Sequence, residues 1–275
     1  MNAREAARGI ASRLAAAGVP EAQFEAELLT REATGLSRAQ FFAGHGIDLD
    51  GEQRLESLTT RREAREPAAY ISGEREFYGL HFEVGPKVLV PRPETELLVD
   101  LALRECALDD VIVDVGTGTG CIATALAWTL AGDARGATVL ATEISGAAVI
   151  IAKQNALRNG ARVEFIRTDL AAAVGRADIV LANLPYIPTD EIDALEPEVS
   201  EWEPRVALDG GADGFALIRR LVADCAERLR PRLLALEVGF GQAGAAAEIA
   251  QAAGAEVSLI KDLAGIDRVV CCRWP

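Results

Sequence analysis

The run Val111-Ile112-Val113-Asp114-Val115-Gly116-Thr117-Gly118-Thr119-Gly120 is an apolar strand that breaks into a turn with glycine at every second position. Helical spacing resumes after it, from 120 to about 131. Glycine in such a turn lets the backbone approach a ligand closely. The spacing differs from the Gly-x-Gly-x-x-Gly of dinucleotide-binding folds. There is also no Gly-Lys-Ser/Thr, which excludes a phosphate-binding P-loop.

Working outward, strands and helices alternate on both sides of this turn. Strands are predicted at 111–115, 138–142, 163–167, 178–182, 233–238, 255–260 and 267–273, and helices at 120–131, 146–158, 214–229 and 242–252. Such alternation implies an α/β fold with a doubly wound, seven-stranded sheet and ligands at the carboxyl ends of its strands. The last two strands are joined only by Asp262–Ile266. A parallel crossover needs about a dozen residues or more, so they should pair antiparallel.

The first 74 residues are expected to form a separate helical domain. Ala6, Ile10, Leu14 and Ala17 recur at helical spacing, and Gly18-Val19-Pro20 closes that helix. Phe24, Leu28 and Leu29 are expected on the inner face of the next one. A short third helix should start at Leu36-Ser37 and run through Phe41 and Phe42, and a fourth from about Asp50 to Arg65. Residues 75–92 carry Phe77, Leu80, Phe82, Val84, Val88 and Val90 among glycines and Pro86, which predicts a β-hairpin linker. Residues 93–275 then form the α/β domain.

Composition narrows the function. The formal net charge is −14, which disfavours free nucleic acid as a partner. The five cysteines form no Cys-x-x-Cys pair and only two histidines exist, so a zinc site is not expected. Adjacent Cys271 and Cys272 in a strand should point to opposite faces. Scattered cysteines, no signal core and no long apolar run lead us to expect a cytoplasmic, monomeric protein without a membrane segment.

The glycine turn resembles motif I of class I methyltransferases. That likeness implies that Asp114, Gly116, Thr117, Gly118, Thr119 and Gly120 cradle the methionine end of S-adenosylmethionine. Glu143 closes the second strand, where a carboxylate can accept hydrogen bonds from both ribose hydroxyls. Asp169 and Leu170 follow the third strand, where such enzymes contact adenine.

Asn183-Leu184-Pro185-Tyr186 follows the fourth strand, beside the position of the transferable methyl group. A planar amide or amino nitrogen is a poor nucleophile, because its lone pair is delocalised. A site that methylates it must hold both N–H groups so that the lone pair faces the methyl. The Asn183 side-chain carbonyl and the Leu184 main-chain carbonyl are the two acceptors. Pro185 restricts the residue before it, and Tyr186 can pack on the planar group. Catalysis is then positioning and electrostatics, and no strong base is required.

These motifs together resemble the glutamine N5-methyltransferases of peptide chain release factors, the HemK family of class I S-adenosylmethionine-dependent methyltransferases. The resemblance extends over nearly the whole chain. It includes Pro67–Gly73, Arg75–Leu80, Val88-Leu89-Val90-Pro91-Arg92-Pro93-Glu94-Thr95-Glu96, Glu196–Val199, Glu203-Pro204-Arg205, Leu208–Gly211, Asp213-Gly214 and Leu263–Val270. It implies that the substrate is the glutamine of the Gly-Gly-Gln motif of class 1 release factors. Residues 1–74, which the cofactor motifs do not involve, are the expected docking domain for it. Three positions depart from the family pattern. Leu184 stands where proline is usual, Glu143 where aspartate is usual, and Leu170 where an aromatic residue is common. Two other substrates fit the same pocket chemistry, a ribosomal-protein glutamine and an RNA adenine. The acidic charge and the Pro91–Glu96 signature count against RNA.

Overall fold

The computed structural model describes residues 2–132 and 136–275. The chain begins with five helices, α1 (Ala3–Ala16), α2 (Ala22–Thr34), α3 (Arg38–Phe42), α4 (Leu49–Glu63) and α5 (Ala68–Ser72). A β-hairpin follows, β1 (Glu74–Phe77) and β2 (Leu80–Glu83). Then come α6 (Glu96–Glu105), β3 (Val111–Val115), α7 (Cys121–Leu130), β4 (Thr138–Glu143), α8 (Gly146–Arg158), β5 (Glu164–Arg167) and β6 (Ile179–Ala182). After the short α9 (Pro197–Ser200) come α10 (Ala216–Asp224), β7 (Leu233–Glu237), α11 (Ala243–Ala252), β8 (Glu256–Lys261) and β9 (Asp267–Arg273). The predicted helix at 214–229 continues past α10 as a π-turn over Cys225–Leu229.

Two compact units result. The first contains Met1–Gly73 together with Glu196–Trp202, and the second contains Glu74–Leu195 and Glu203–Pro275. In the first, α1 buries Ala3, Ala6, Ala7, Ile10, Ala11 and Leu14. Asn2 caps its start by accepting from the Arg4 N–H at 2.9 Å. Ser37 and Gln40 form a reciprocal capping box on α3. The expected inner face of α2 is corrected. Leu29 is buried, but Phe24 is 56% exposed and Leu28 39% exposed. The buried stripe is instead Ala26, Leu29, Thr30 and Ala33. Its small side chains meet the alanine-rich face of α1, so the two helices approach closely and no room is left there for a phenylalanine.

A buried ion cluster ties Glu196–Trp202 into this first unit. Arg62 is 3% exposed and pairs with both Glu25 and Glu198. Arg65 holds the same Glu198 through both of its terminal bonds, at 2.6 and 2.5 Å. The Trp202 indole N–H donates to the Ala64 carbonyl at 3.3 Å.

The second unit is a seven-stranded sheet in the order β5-β4-β3-β6-β7-β9-β8. β3 pairs parallel with β4 and β6, β6 parallel with β7, and β9 antiparallel with both β7 and β8. Side chains alternate between the two faces, as a pleated strand requires. Ile112, Ile179, Leu181, Leu233 and Ala235 pack on one side with α6, α7 and the β1–β2 hairpin. Val113, Val180, Leu234 and Leu236 pack on the other with α10 and α11. Cys271 lies in the first core and Cys272 in the second, so the adjacent cysteines do point to opposite faces. Strand order reverses between β3 and β6, and a ligand crevice belongs at that switch point, outside the carboxyl ends of the strands.

Candidate active site

A cavity of about 540 Å³ opens at that switch point. Ligand pockets fall in the range of about 300–1,000 Å³. Of the residues singled out from sequence, Gly116, Gly118, Glu143, Asp169, Leu170, Asn183, Leu184 and Pro185 line it. Asp114, Thr117, Thr119, Gly120 and Tyr186 are not among its walls. Thr142, Ile144, Ser145, Val206, Leu217 and Arg220 also line it, and sequence reasoning had assigned them nothing.

Asp114 shapes the turn from beneath. It is completely buried, and burial pushes its carboxyl up to about 7. One oxygen accepts from the Thr117 hydroxyl and, at 3.3 Å, from the Ala123 N–H. The Gly116 and Thr117 N–H groups both donate to the Thr142 carbonyl, at 2.9 and 3.0 Å. The Asn155 amide reaches the Thr119 carbonyl at 3.0 Å. Gly118 sits at the lip of the turn with φ 54°, and a Cβ built there meets no atom within 4 Å. Its backbone therefore faces open space, as a cradle for a ligand requires.

Glu143 ends β4 and is braced on both oxygens. Oε2 accepts from the Gly118 N–H at 3.0 Å and Oε1 from the Ser145 N–H at 2.8 Å. Each carboxylate oxygen has a second lone pair, so two hydroxyls can still be bound without breaking either bond. Asp169 is exposed at the cavity rim, and its Oδ2 accepts from Arg220 at 2.6 Å. Leu170 takes a left-handed backbone, φ 47°, which turns the chain at the end of this wall.

Asn183, Leu184 and Pro185 form the opposite wall. Asn183 donates from Nδ2 to the Thr95 hydroxyl oxygen at 3.1 Å. That bond leaves the side-chain carbonyl for another donor. Leu184 is 3% exposed, and its side chain joins the α10–α11 core. A Cβ on Gly116 would lie 3.1 Å from its Cδ2, so the glycine turn and the loop are in close register. The Ile187 N–H donates to the Leu208 carbonyl at 3.1 Å, and the Gly210 N–H returns to the Ile187 carbonyl at 2.9 Å. Gly214, at φ 80°, passes so near the loop that a Cβ would fall 2.3 Å from the Tyr186 carbonyl. That explains the glycines of the 208–214 segment. The Tyr186 ring packs against Gly239, and burial raises its hydroxyl pKa.

Two buried polar residues outside the cavity lining, Thr95 and Glu237, had no place in the sequence reading. Thr95 lies inside the Pro91–Glu96 signature but had no assigned task. Glu237 ends β7, buried at 2% exposure, and burial pushes its carboxyl up to about 7. The available signal was a charged residue closing an apolar strand, the same cue that singled out Glu143.

Residues 5–73 match the PrmC N-terminal domain, and residues 93–195 match the methyltransferase small domain. Among solved structures, the hMettl16 catalytic domain in complex with MAT2A 3′UTR hairpin 1 aligns with a TM-score of 0.58. The identity is 14%, over 83% of this chain and 81% of that one. A methyltransferase from Pyrococcus furiosus aligns with a TM-score of 0.51 at 19% identity, over 72% of this chain and 90% of that one. These likenesses show the fold, that of class I methyltransferases. Sequence relatives reach further. A release factor glutamine methyltransferase of Geobacter sulfurreducens is 41% identical over 94% of this chain and 91% of its own length. One of Cereibacter sphaeroides is 41% identical over 100% of this chain and 99% of its own. At that identity and coverage, the chain belongs to the family of release factor glutamine methyltransferases.

Proposed function

We propose that this protein transfers a methyl group from S-adenosylmethionine to the side-chain amide nitrogen of the glutamine in the Gly-Gly-Gln motif of class 1 release factors. The observation that carries the reading is one cavity with two chemically different walls. Glu143 and Asp169 stand on one, and Asn183 and Leu184 on the other.

The residues present fit the cofactor. The open lip at Gly118 leaves space for the methionine end. Glu143 is preset to take the ribose hydroxyls, and Asp169, steadied by Arg220, the adenine edge. S-adenosylmethionine supplies an electrophilic methyl group on a positively charged sulfur. The protein supplies the orientation of the nucleophile. The Asn183 Oδ1 and the Leu184 carbonyl each accept one N–H of the substrate amide, which turns the nitrogen lone pair toward the methyl. The same two acceptors hold the positive charge that develops on nitrogen during attack. The alkylated nitrogen is acidic and loses its proton without a strong base. The Tyr186 ring, packed against Gly239 along one edge, lies on the planar substrate group.

The relatives named above are release factor glutamine methyltransferases, which favours glutamine over the adenine that the pocket chemistry alone would admit. The net charge of −14 points the same way. Among the described residues no helix is long and apolar enough to cross a membrane. A cytoplasmic monomer that docks the factor through its first unit completes the reading. A purified class 1 release factor should accept labelled methyl from S-adenosylmethionine, and the same factor with its Gly-Gly-Gln glutamine changed to alanine should accept none. Equal labelling of both would refute the assignment.

A further inference from the structure

Gln242 stands at the N-cap of α11, after the turn that follows β7, and the transfer chemistry above gives it no task. Its half-buried carboxamide makes two bonds. Oε1 accepts from the Gly239 N–H at 2.9 Å, and Nε2 donates to the Tyr186 carbonyl at 2.7 Å. The partners settle which end is which, because an N–H only donates and a carbonyl only accepts. Glycines on two sides leave room for the side chain. A Cβ on Gly239 would lie 2.8 Å from Oε1 and 3.1 Å from two carbons of the Tyr186 ring. A Cβ on Gly214 would lie 2.9 Å from Nε2. The Gly239–Gln242 turn therefore holds Tyr186 twice, along one edge of its ring and at its main-chain carbonyl.

A ring that packs on a planar amide helps the reaction only at a fixed height and tilt. The ring turns about its own Cα, so its place depends on the main chain that carries it. We propose that Gln242 is a positioning residue: its carboxamide ties the Tyr186 carbonyl to the turn after β7 and so sets the Tyr186 ring on the substrate amide. The inference rests on Tyr186 packing on the planar substrate group, as described under Proposed function.

The clamp needs one acceptor and one donor on a single planar group, and a carboxamide supplies both. Both of its partners are uncharged main-chain groups, so the native clamp does not titrate. Gln242→Glu keeps the acceptor for Gly239, but when ionised it has no proton for Tyr186 and sets oxygen against oxygen. When protonated it has that proton, and the clamp closes again. The ionisable groups on the surrounding segments are Glu237 at the end of β7, Arg268 of β9, and Asp209 and Asp213 beside Gly214. Arg268 pairs with Asp262 and Asp213 with Arg219, and Asp209 accepts from the Thr189 hydroxyl at 2.6 Å. The variant's clamp is therefore open above the pKa of the new carboxyl and regained as the pH falls through it.

Two measurements on the full-length protein test this. The first is kcat and KM for methylation of a purified class 1 release factor from about pH 6 to 8.5. At the alkaline end Gln242→Glu should lower kcat about 10- to 100-fold with KM little changed, the scale for losing a group that orients a reacting one. The ratio of its kcat to that of wild type should rise as the pH falls. Taking the ratio removes the titrations that both proteins share, that of Glu237 among them. Gln242→Met, close in size but without either bond, should stay impaired at every pH. Calorimetry should find S-adenosylhomocysteine bound by both variants nearly as by wild type. The second measurement is the NMR spectrum of ring-labelled tyrosine, of which the chain has three, Tyr70, Tyr78 and Tyr186. The Tyr186 ring signals, assigned through their absence in Tyr186→Phe, should move in both variants at the alkaline end. They should return toward wild type in Gln242→Glu at the acid end, with Tyr70 and Tyr78 unmoved throughout. Wild-type turnover in alkaline Gln242→Glu, a ratio that does not change with pH, or Tyr186 signals indifferent to Gln242 would overturn the proposal. So would cofactor-product affinity that falls as far as turnover. If wild type fails to methylate the factor, the functional reading falls, and the ring signals still decide whether Gln242 holds Tyr186.

Discussion

Replacing Glu143 by alanine removes a carboxylate held in place before any ligand arrives. Its oxygens accept backbone N–H groups of Gly118 and Ser145 at 3.0 and 2.8 Å, and each keeps a lone pair for a ribose hydroxyl. Hydrogen bonds to a charged group are worth about 1.5–3 kcal/mol, but this carboxylate is half-buried and water replaces part of the loss. A net cost of about 1–3 kcal/mol follows, which raises the dissociation constant about 5- to 150-fold. The substitution also frees the Gly118 and Ser145 N–H groups and loosens the turn, so affinity for one ligand cannot separate the two effects. A pair of ligands can. Calorimetric titration of wild type and Glu143→Ala with S-adenosylhomocysteine and with its 2′,3′-dideoxy analogue isolates the hydroxyl contact. The substitution should weaken S-adenosylhomocysteine by the stated factor and the analogue far less. Equal weakening of both would mean that Glu143 only braces the Gly118 turn. Unchanged affinity for both would remove it from the cofactor site.

Three further outcomes are expected. Asn183→Ala should lower turnover about 10²-fold or more, the scale for one preorganised polar group, while calorimetry finds S-adenosylhomocysteine bound nearly as in wild type. Leu184→Pro should keep turnover within a few-fold, because the main-chain carbonyl is retained. The lost core contacts of a side chain 3% exposed should lower stability by about 1–3 kcal/mol in urea unfolding. Arg62→Ala leaves the Glu25 and Glu198 carboxylates facing each other without their shared cation. It should destabilise the first unit by about 3–5 kcal/mol, read by amide hydrogen exchange of α2 and α4.

Most of the second unit was legible in the sequence. β3, β6 and β7 are short apolar runs bounded by turns, and each structural strand lies within two residues of its predicted bounds. The hairpin was legible over 74–83, but residues 84–92 run on without regular structure toward Pro93. In α2 the reading failed because it weighed large apolar residues. The α1–α2 contact is built from alanines, so Phe24 and Leu28 stay at the surface. The attachment of Glu196–Trp202 to the helical unit depends on Arg62 and Arg65 meeting Glu198, and no local pattern announces a partner so distant in sequence. At the site, Glu143, Asp169 and Asn183 were findable as polar residues at strand ends, and the cavity brings them together. Thr95 was harder, because its bond to Asn183 joins residues far apart in sequence.

The central claim is that the two acceptors of the Asn183–Tyr186 loop serve a glutamine amide of a release factor. The direct measurement offers the protein labelled S-adenosylmethionine with a purified class 1 release factor, ribosomal proteins and ribosomal RNA in one competition, and locates the methyl group by mass spectrometry. A single methyl on the amide nitrogen of the Gly-Gly-Gln glutamine is the predicted result. A methyl on a ribosomal-protein glutamine or on an RNA adenine, with the factor unmodified, would contradict it.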